Sequence, residues 1–270
     1  MRKILFAALA SVIALVVVCV AMGATTRQYV QICLRSAPPC TGRLEFEPRG
    51  AVVPKRLQAH ELAPVALEVG GKIFNEGGGH PPALREVMVD IDKDVAVDAV
   101  GLPACGRSQL ESRDVAAARR VCREAIVGSG MAHVGFASSE AVVEAPLTLI
   151  NGGTSGGETR LLIHSAIAVP DPVPLIATAK ISKVQDGLRT VWRIPPILEG
   201  DGSLLDFSFK IGRRFSSQGA EHSYLAASCA DGSFQVNVKE ALFRNEAKTP
   251  GVAAQTSLKG SLSIPCTPVR

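Results

Sequence analysis

Leu205-Asp206-Phe207-Ser208-Phe209-Lys210-Ile211 carries an apolar side chain at every second position and a charge or hydroxyl between. Successive side chains point to opposite faces of an extended chain. This spacing therefore gathers four apolar groups on one side and leaves Asp206, Ser208 and Lys210 on the other. A strand with one buried and one solvated face belongs to an antiparallel sheet. Outward from this stretch the pattern repeats. Phe234, Val236 and Val238 alternate with Gln235, Asn237 and Lys239; Val65, Leu67 and Val69 with Ala66 and Glu68; Val87, Val89 and Ile91 with Met88, Asp90 and Asp92. Further strands are expected over 142–150, 159–169, 175–184, 188–194 and 223–228. Gly, Pro and Asn clusters at 76–82, 151–157, 170–174, 199–202 and 230–232 separate them.

One segment departs from period two. After Ser112, a plausible N-cap with Asp114 in the first turn, Val115, Ala118, Cys122 and Ala125 fall at helical intervals, with Arg119, Arg120 and Arg123 on the solvent side. A helix is predicted over 113–124. The expected fold is all-β and mainly antiparallel, a single β-sandwich over 51–270 with one short inserted helix. Residues 25–50, without sustained periodicity and containing Pro38-Pro39, read as an extended N-terminal arm. Pro170 to Pro174 reads as a bend inside one domain, because strand signals continue unchanged on both sides.

The N-terminus has the form of an export signal: Arg2 and Lys3, the apolar run from Ile4 to Met22, then Gly23-Ala24. Cleavage after Gly23 is the first expectation and after Ala24 the second. The nineteen-residue run exceeds the roughly 7 to 15 of an ordinary signal core. An uncleaved anchor therefore stays open as the alternative for residues 1–24, and would be the chain's one route to the membrane. Either outcome sends the remainder outward, to the envelope or the extracellular space, since the basic residues stay inside. Cys19 follows three valines where a lipoprotein signal wants a small residue, so it reads as apolar filling.

The remaining cysteines, Cys33, Cys40, Cys105, Cys122, Cys229 and Cys266, are even in number and destined for an oxidising compartment, where disulfides are their expected use. Spacing suggests Cys33 with Cys40, Cys105 with Cys122 and Cys229 with Cys266, among the fifteen pairings that six cysteines allow. A zinc site lacks support, because no C-x-x-C occurs and the histidines show no ligand spacing. Net charge is +4, of which the signal supplies two, and Lys and Arg are interspersed with Asp and Glu. Nothing concentrates positive charge as a nucleic-acid binder requires. At 4% aromatic content, with one Trp and two Tyr, an exposed sugar-stacking surface is also disfavoured. No cofactor motif is found, and the sequence does not identify a partner.

Three constellations carry residue types suited to chemistry. Gly153-Thr154-Ser155-Gly156-Gly157 resembles the glycine-flanked nucleophile of chymotrypsin-like serine proteases. That family's histidine motif is missing around His60 and His80, and its Asp is missing at Thr154. A glycine-rich hairpin loop explains the same letters. Asp90, Asp92 and Asp94 stand at alternate positions like the opening of an EF-hand loop, a Ca²⁺ ligand pattern. Val95 takes the place of the required glycine and Gly101 that of the bidentate Glu, so a solvated strand face is the simpler reading. The five histidines, His60, His80, His133, His164 and His222, lie far apart in sequence. His164 shares a strand face with Arg160 and Leu162 and reads as a surface or edge side chain, while Trp192 joins Leu188 and Ile194 as a core anchor.

At Gly101-Leu102-Pro103-Ala104-Cys105, Cys122-Arg123-Glu124-Ala125-Ile126-Val127-Gly128-Ser129-Gly130 and Asn151-Gly152-Gly153 the chain resembles an uncharacterised family of exported bacterial proteins, over residues from about 50 onward. The resemblance implies no activity and carries over no functional residues. It adds support for Cys105 pairing with Cys122. The sequence thus points to an exported, disulfide-stabilised protein with a non-enzymatic binding or structural role. Two alternatives stand beside it: a secreted hydrolase centred near Ser155 or Asp90, Asp92 and Asp94, and a membrane-anchored extracytoplasmic domain.

Overall fold

A computed structural model describes residues 28–31, 43–75, 78–168, 172–248 and 254–269. The signal segment, Cys33 and Cys40 lie outside the described residues. Strands are numbered in chain order. Twelve form one sheet in the spatial order β1 (Gln28–Gln31), β2 (Arg43–Val53), β5 (Ala66–Asn75), β13 (Gly202–Ile211), β8 (Ile126–Phe136), β9 (Ser139–Ser155), β10 (Glu158–Ala168), β11 (Pro172–Val184), β12 (Gly187–Arg193), β6 (Ala83–Asp92), β17 (Ser233–Arg244) and β18 (Gln255–Pro265). Every neighbouring pair is antiparallel, as the alternation predicts. The last strand, β18, comes back against β2 and β1, with Ile264 and Leu262 packed on Gly50, so the sheet nearly closes on itself. It is also flattened. Phe209 on β13 meets Trp192 on β12, five places away in the sheet, with ring centroids 6.1 Å apart. Opposite walls therefore face each other like the layers of a sandwich.

The inner face is apolar and the outer face charged. Outside, residues facing each other in register pair ionically: Asp206 with His133 (2.7 Å), Lys210 with Glu68 (3.1 Å), Arg189 with Asp90 (2.7 Å) and Arg193 with Glu86 (3.1 Å). Such exposed pairs add little stability. They do show that the outer wall is built for water, the reverse of a membrane barrel, whose outer band is apolar. No helix among the described residues is long and apolar enough to cross a membrane.

Several boundaries differ from the expectation. Residues 43–50, assigned to the arm, run in register with β5 as part of the sheet, and Leu44 and Phe46 are buried. In the founding stretch a β-bulge lies between Leu204 and Asp206, so Leu204 lines the interior in place of Leu205. Strand β8 was not predicted because glycines 128, 130 and 135 dilute its pattern. The close approach of β13 requires them: a Cβ at Gly130 would collide with the carbonyl oxygen of Ser208 and the Cα of Phe209.

One end of the barrel has a floor. It is made by the short sheet of β4 (Ala63–Pro64), β16 (Leu225–Ala227) and β7 (Val95–Val97), with β3 (Arg56–Gln58) parallel to β19 (Thr267–Val269) and the hairpin β14 (Arg214–Ser217)–β15 (Ala220–Ser223) alongside. Cys229 and Cys266 are bonded there, joining the floor to the end of β18.

On the outer flank of β9, β10 and β11 sits a helical flap. Its helix α1 (Val115–Val121) is shorter than predicted and capped by Asp114, whose carboxylate accepts from the Ala117 amide at 2.6 Å. Ser112, the expected cap, is left-handed at φ 58° and belongs to the turn before it. Cys105 and Cys122 are bonded and, with Leu110 and Ala118, pack on Ile150, Leu162 and Ile176. Asn151 pins the flap by donating to the carbonyls of Leu102 (3.3 Å) and Pro103 (3.0 Å) and accepting from the Cys105 amide (2.9 Å). The motifs around residues 101–105, 122–130 and 151–153 thus meet in space.

Candidate functional site: the barrel lumen

Between the facing walls lies a cavity of about 280 Å³. Its lining follows from period two. Leu161, Ile163 and Ile167 on β10, Val87, Val89 and Ile91 on β6, and Phe234, Val236 and Val238 on β17 are the apolar halves of alternating strands, turned inward by closure. Phe46, Phe207, Phe209 and Trp192 form a row of rings with successive centroids 6.5, 6.0 and 6.1 Å apart. Gly71 makes room for that row: a Cβ there would stand 2.5 Å from Cε2 of Phe46 and 3.2 Å from Cε1 of Phe207.

Very few polar groups reach this space. Arg49 borders it but is exposed, with Pro48 and Gly50 at the flanking positions. The Thr190 hydroxyl accepts from Trp192 Nε1 at 3.1 Å. Two hydroxyls remain, Ser165 on β10 and Tyr224 at the floor, 2% and 0% exposed, and neither has a hydrogen-bond partner among the described residues. The Tyr224 backbone is fixed by its amide donating to Arg213 (2.7 Å) and its carbonyl accepting from Asp98 (3.1 Å). Burial pushes its phenol well above the usual tyrosine range, so it is a neutral donor at any physiological pH. Sequence reasoning missed both residues. A lone Ser in the inward register of Leu161, Ile163 and Ile167 was the available signal for Ser165; for Tyr224 there was none.

The residues singled out for chemistry lie elsewhere. Ser155 is exposed at the end of β9, next to the Gly156-Gly157 turn into β10, and stands in register with Glu158. Asp90 is bound bidentately by Arg189 (2.7 and 2.8 Å), and the hydrogen bond from that guanidinium holds its carboxyl below the usual range. Asp92 accepts from the amides of Asp94 (3.0 Å) and Gln235 (2.7 Å), while Asp94 receives the Ser228 amide on its carbonyl (2.9 Å). The carboxylates of Asp90 and Asp92 are thus spent on structure, and no group of three metal-binding side chains occurs among the described residues.

The histidines are equally dispersed. His60 is exposed, and His222 stacks on Phe215 and faces Asp98 at 3.2 Å. His80 borders a second, water-sized polar cavity of about 10 Å³ with Ser203 and Glu246. His133 is half-buried beside Asp206, whose hydrogen bond raises its pKa. His164, expected at the surface, occupies the predicted outer face but is wholly buried beneath the flap, where Nε2–H donates to the Arg113 carbonyl at 3.0 Å. Burial lowers its pKa.

Among the described residues, the lumen holds no nucleophile beside a base. It offers a dry, aromatic-lined chamber with two free hydroxyls, suited to taking up an apolar molecule. Comparison with models of protein families, with curated proteins and with solved structures finds no match to this chain.

Proposed function

We propose that this is an exported, disulfide-stapled binding protein that holds an apolar small molecule in the lumen of its barrel. The observation that carries the proposal is the 280 Å³ cavity inside an otherwise packed protein, nearly twice the roughly 150 Å³ that suffices to bind benzene. Native interiors seldom leave voids larger than a water molecule, because each Å² of apolar surface covered contributes about 25 cal/mol. A chamber of this size at the centre of the main core favours an occupant over simple structural packing. The two bonded cysteine pairs support export, since disulfides persist in oxidising compartments.

The test is titration with 1-naphthylamine, a small uncharged dye whose emission shifts to the blue in apolar surroundings. Saturable binding of one dye per chain is expected, weakened at least tenfold in Ala177→Phe and Ala132→Phe, which fill the lumen from two different walls. Absence of saturable binding by the folded wild type would overturn the proposal. For export, N-terminal sequencing of protein recovered outside the cytoplasm should begin at Ala24 or Thr25; retention of Met1 would favour the anchor.

A further inference from the structure

Resting on that lumen reading, we infer that the occupant is an uncharged molecule with a hydrogen-bond acceptor at one end, an alcohol or ketone on an apolar body, received by the hydroxyl of Tyr224 at the floor. Tyr224 is the largest wholly buried side chain, lines the lumen, and has no partner for its hydroxyl among the described residues. Leaving such a group unpaired is costly, so nearly every buried polar atom finds a partner. The surrounding protein supplies none here, and the lumen is where one would come from. Phe207, Phe209 and Trp192 offer the apolar body its contact surface. The headgroup must be neutral: Arg49, the only cationic residue bordering the space among the described residues, is exposed, and an ionised carboxylate would surrender its hydration without compensation. Tyr224, kept protonated by burial, donates and so seeks an acceptor. The volume, about twice that of a benzene site, suits on the order of a dozen non-hydrogen atoms.

Displacement of the same dye by 1-decanol, n-decane and decanoate at pH 8 tests this. Decanol should compete about tenfold better than decane, the value of one buried hydrogen bond, and decanoate should be the poorest competitor. Tyr224→Phe should abolish the advantage of decanol and leave decane unchanged, at an unaltered circular dichroism spectrum. Ser165→Ala should leave it in place. Equal competition by decanol and decane, competition by decanoate matching decanol, or a preference that survives Tyr224→Phe would each overturn the inference while leaving lumen binding intact. Dye binding that none of the three displaces would instead count against the lumen itself.

Discussion

Cys229–Cys266 and Cys105–Cys122 fasten two different regions, the floor at one end of the barrel and the flap on its outer flank. The first ties the floor to the closing strand β18, within the cluster that continues into the lumen. The second ties the flap, whose small cluster of Leu110, Ala118, Ile150, Leu162 and Ile176 is separate from that core. The floor ends in a buried tyrosine whose hydroxyl is unpaired. The flap's buried polar groups are largely paired, with Asn151 bonded to three backbone groups and Thr148 accepting from Arg119 Nε at 2.9 Å. Apart from His164 Nδ1, polar groups beneath the flap thus fasten it to the wall, whereas the Ser165 and Tyr224 hydroxyls of lumen-lining residues have no partner among the described residues. The outside of the wall is covered by the flap, and the inside borders the cavity.

The largest effects should come from removing the disulfides one at a time. With a sequence separation of 37, the floor bridge is worth roughly 3.8 kcal/mol in the chain-entropy model, against roughly 3.1 kcal/mol for the flap bridge with a separation of 17. The character of the loss should differ more than its size. Cys229→Ala with Cys266→Ala should lower the global unfolding free energy and weaken dye binding, because β18 and the floor are walls of the lumen. Cys105→Ala with Cys122→Ala should raise hydrogen exchange over 103–125 first, with dye binding retained. Urea unfolding and exchange mass spectrometry decide. Loss of dye binding in the flap variant alone would break the distinction between the two regions.

A smaller effect should separate the regions by pH. The folded pKa of His164 is lowered by burial, so the unfolded chain takes up its proton first. Stability from this site is complete above the unfolded value of about 6.5 and is lost as pH falls through the folded value. His133 has the opposite sign. Its folded pKa is raised by Asp206, so its contribution is complete below about 6.5 and lost as pH rises through the folded value. Asp114, near His164, opposes the burial effect without reversing it. Between pH 7.5 and 5.5 the melting temperature of wild type should therefore fall relative to His164→Leu and rise relative to His133→Gln. Parallel pH profiles for all three would show that the flap does not bury its histidine as described.

Period two was fully legible wherever nothing interrupts it. Val87, Val89, Ile91 and Phe234, Val236, Val238 face inward as their alternation requires, and the bulge at Leu204 shifts only one end of the founding strand. Strand β8 was illegible because its glycines serve contact with β13, a neighbour some eighty residues away in the chain. For His164 the face was correct and the burial was not: the flap that covers it comes from Arg113, 51 positions earlier. The candidate site was hidden for the same reason. Tyr224 and Ser165 are single polar letters whose meaning depends on what closes around them.

By itself the sequence determined which side chains can share a face and which cysteines are near enough along the chain to be bonded, because both depend on local geometry and spacing. Tertiary structure alone decided that the sheet would curl until β18 met β2, which converts a row of half-buried faces into the lining of one cavity. Closure is a sum of small twists over twelve strands, and no short stretch of residues records that sum.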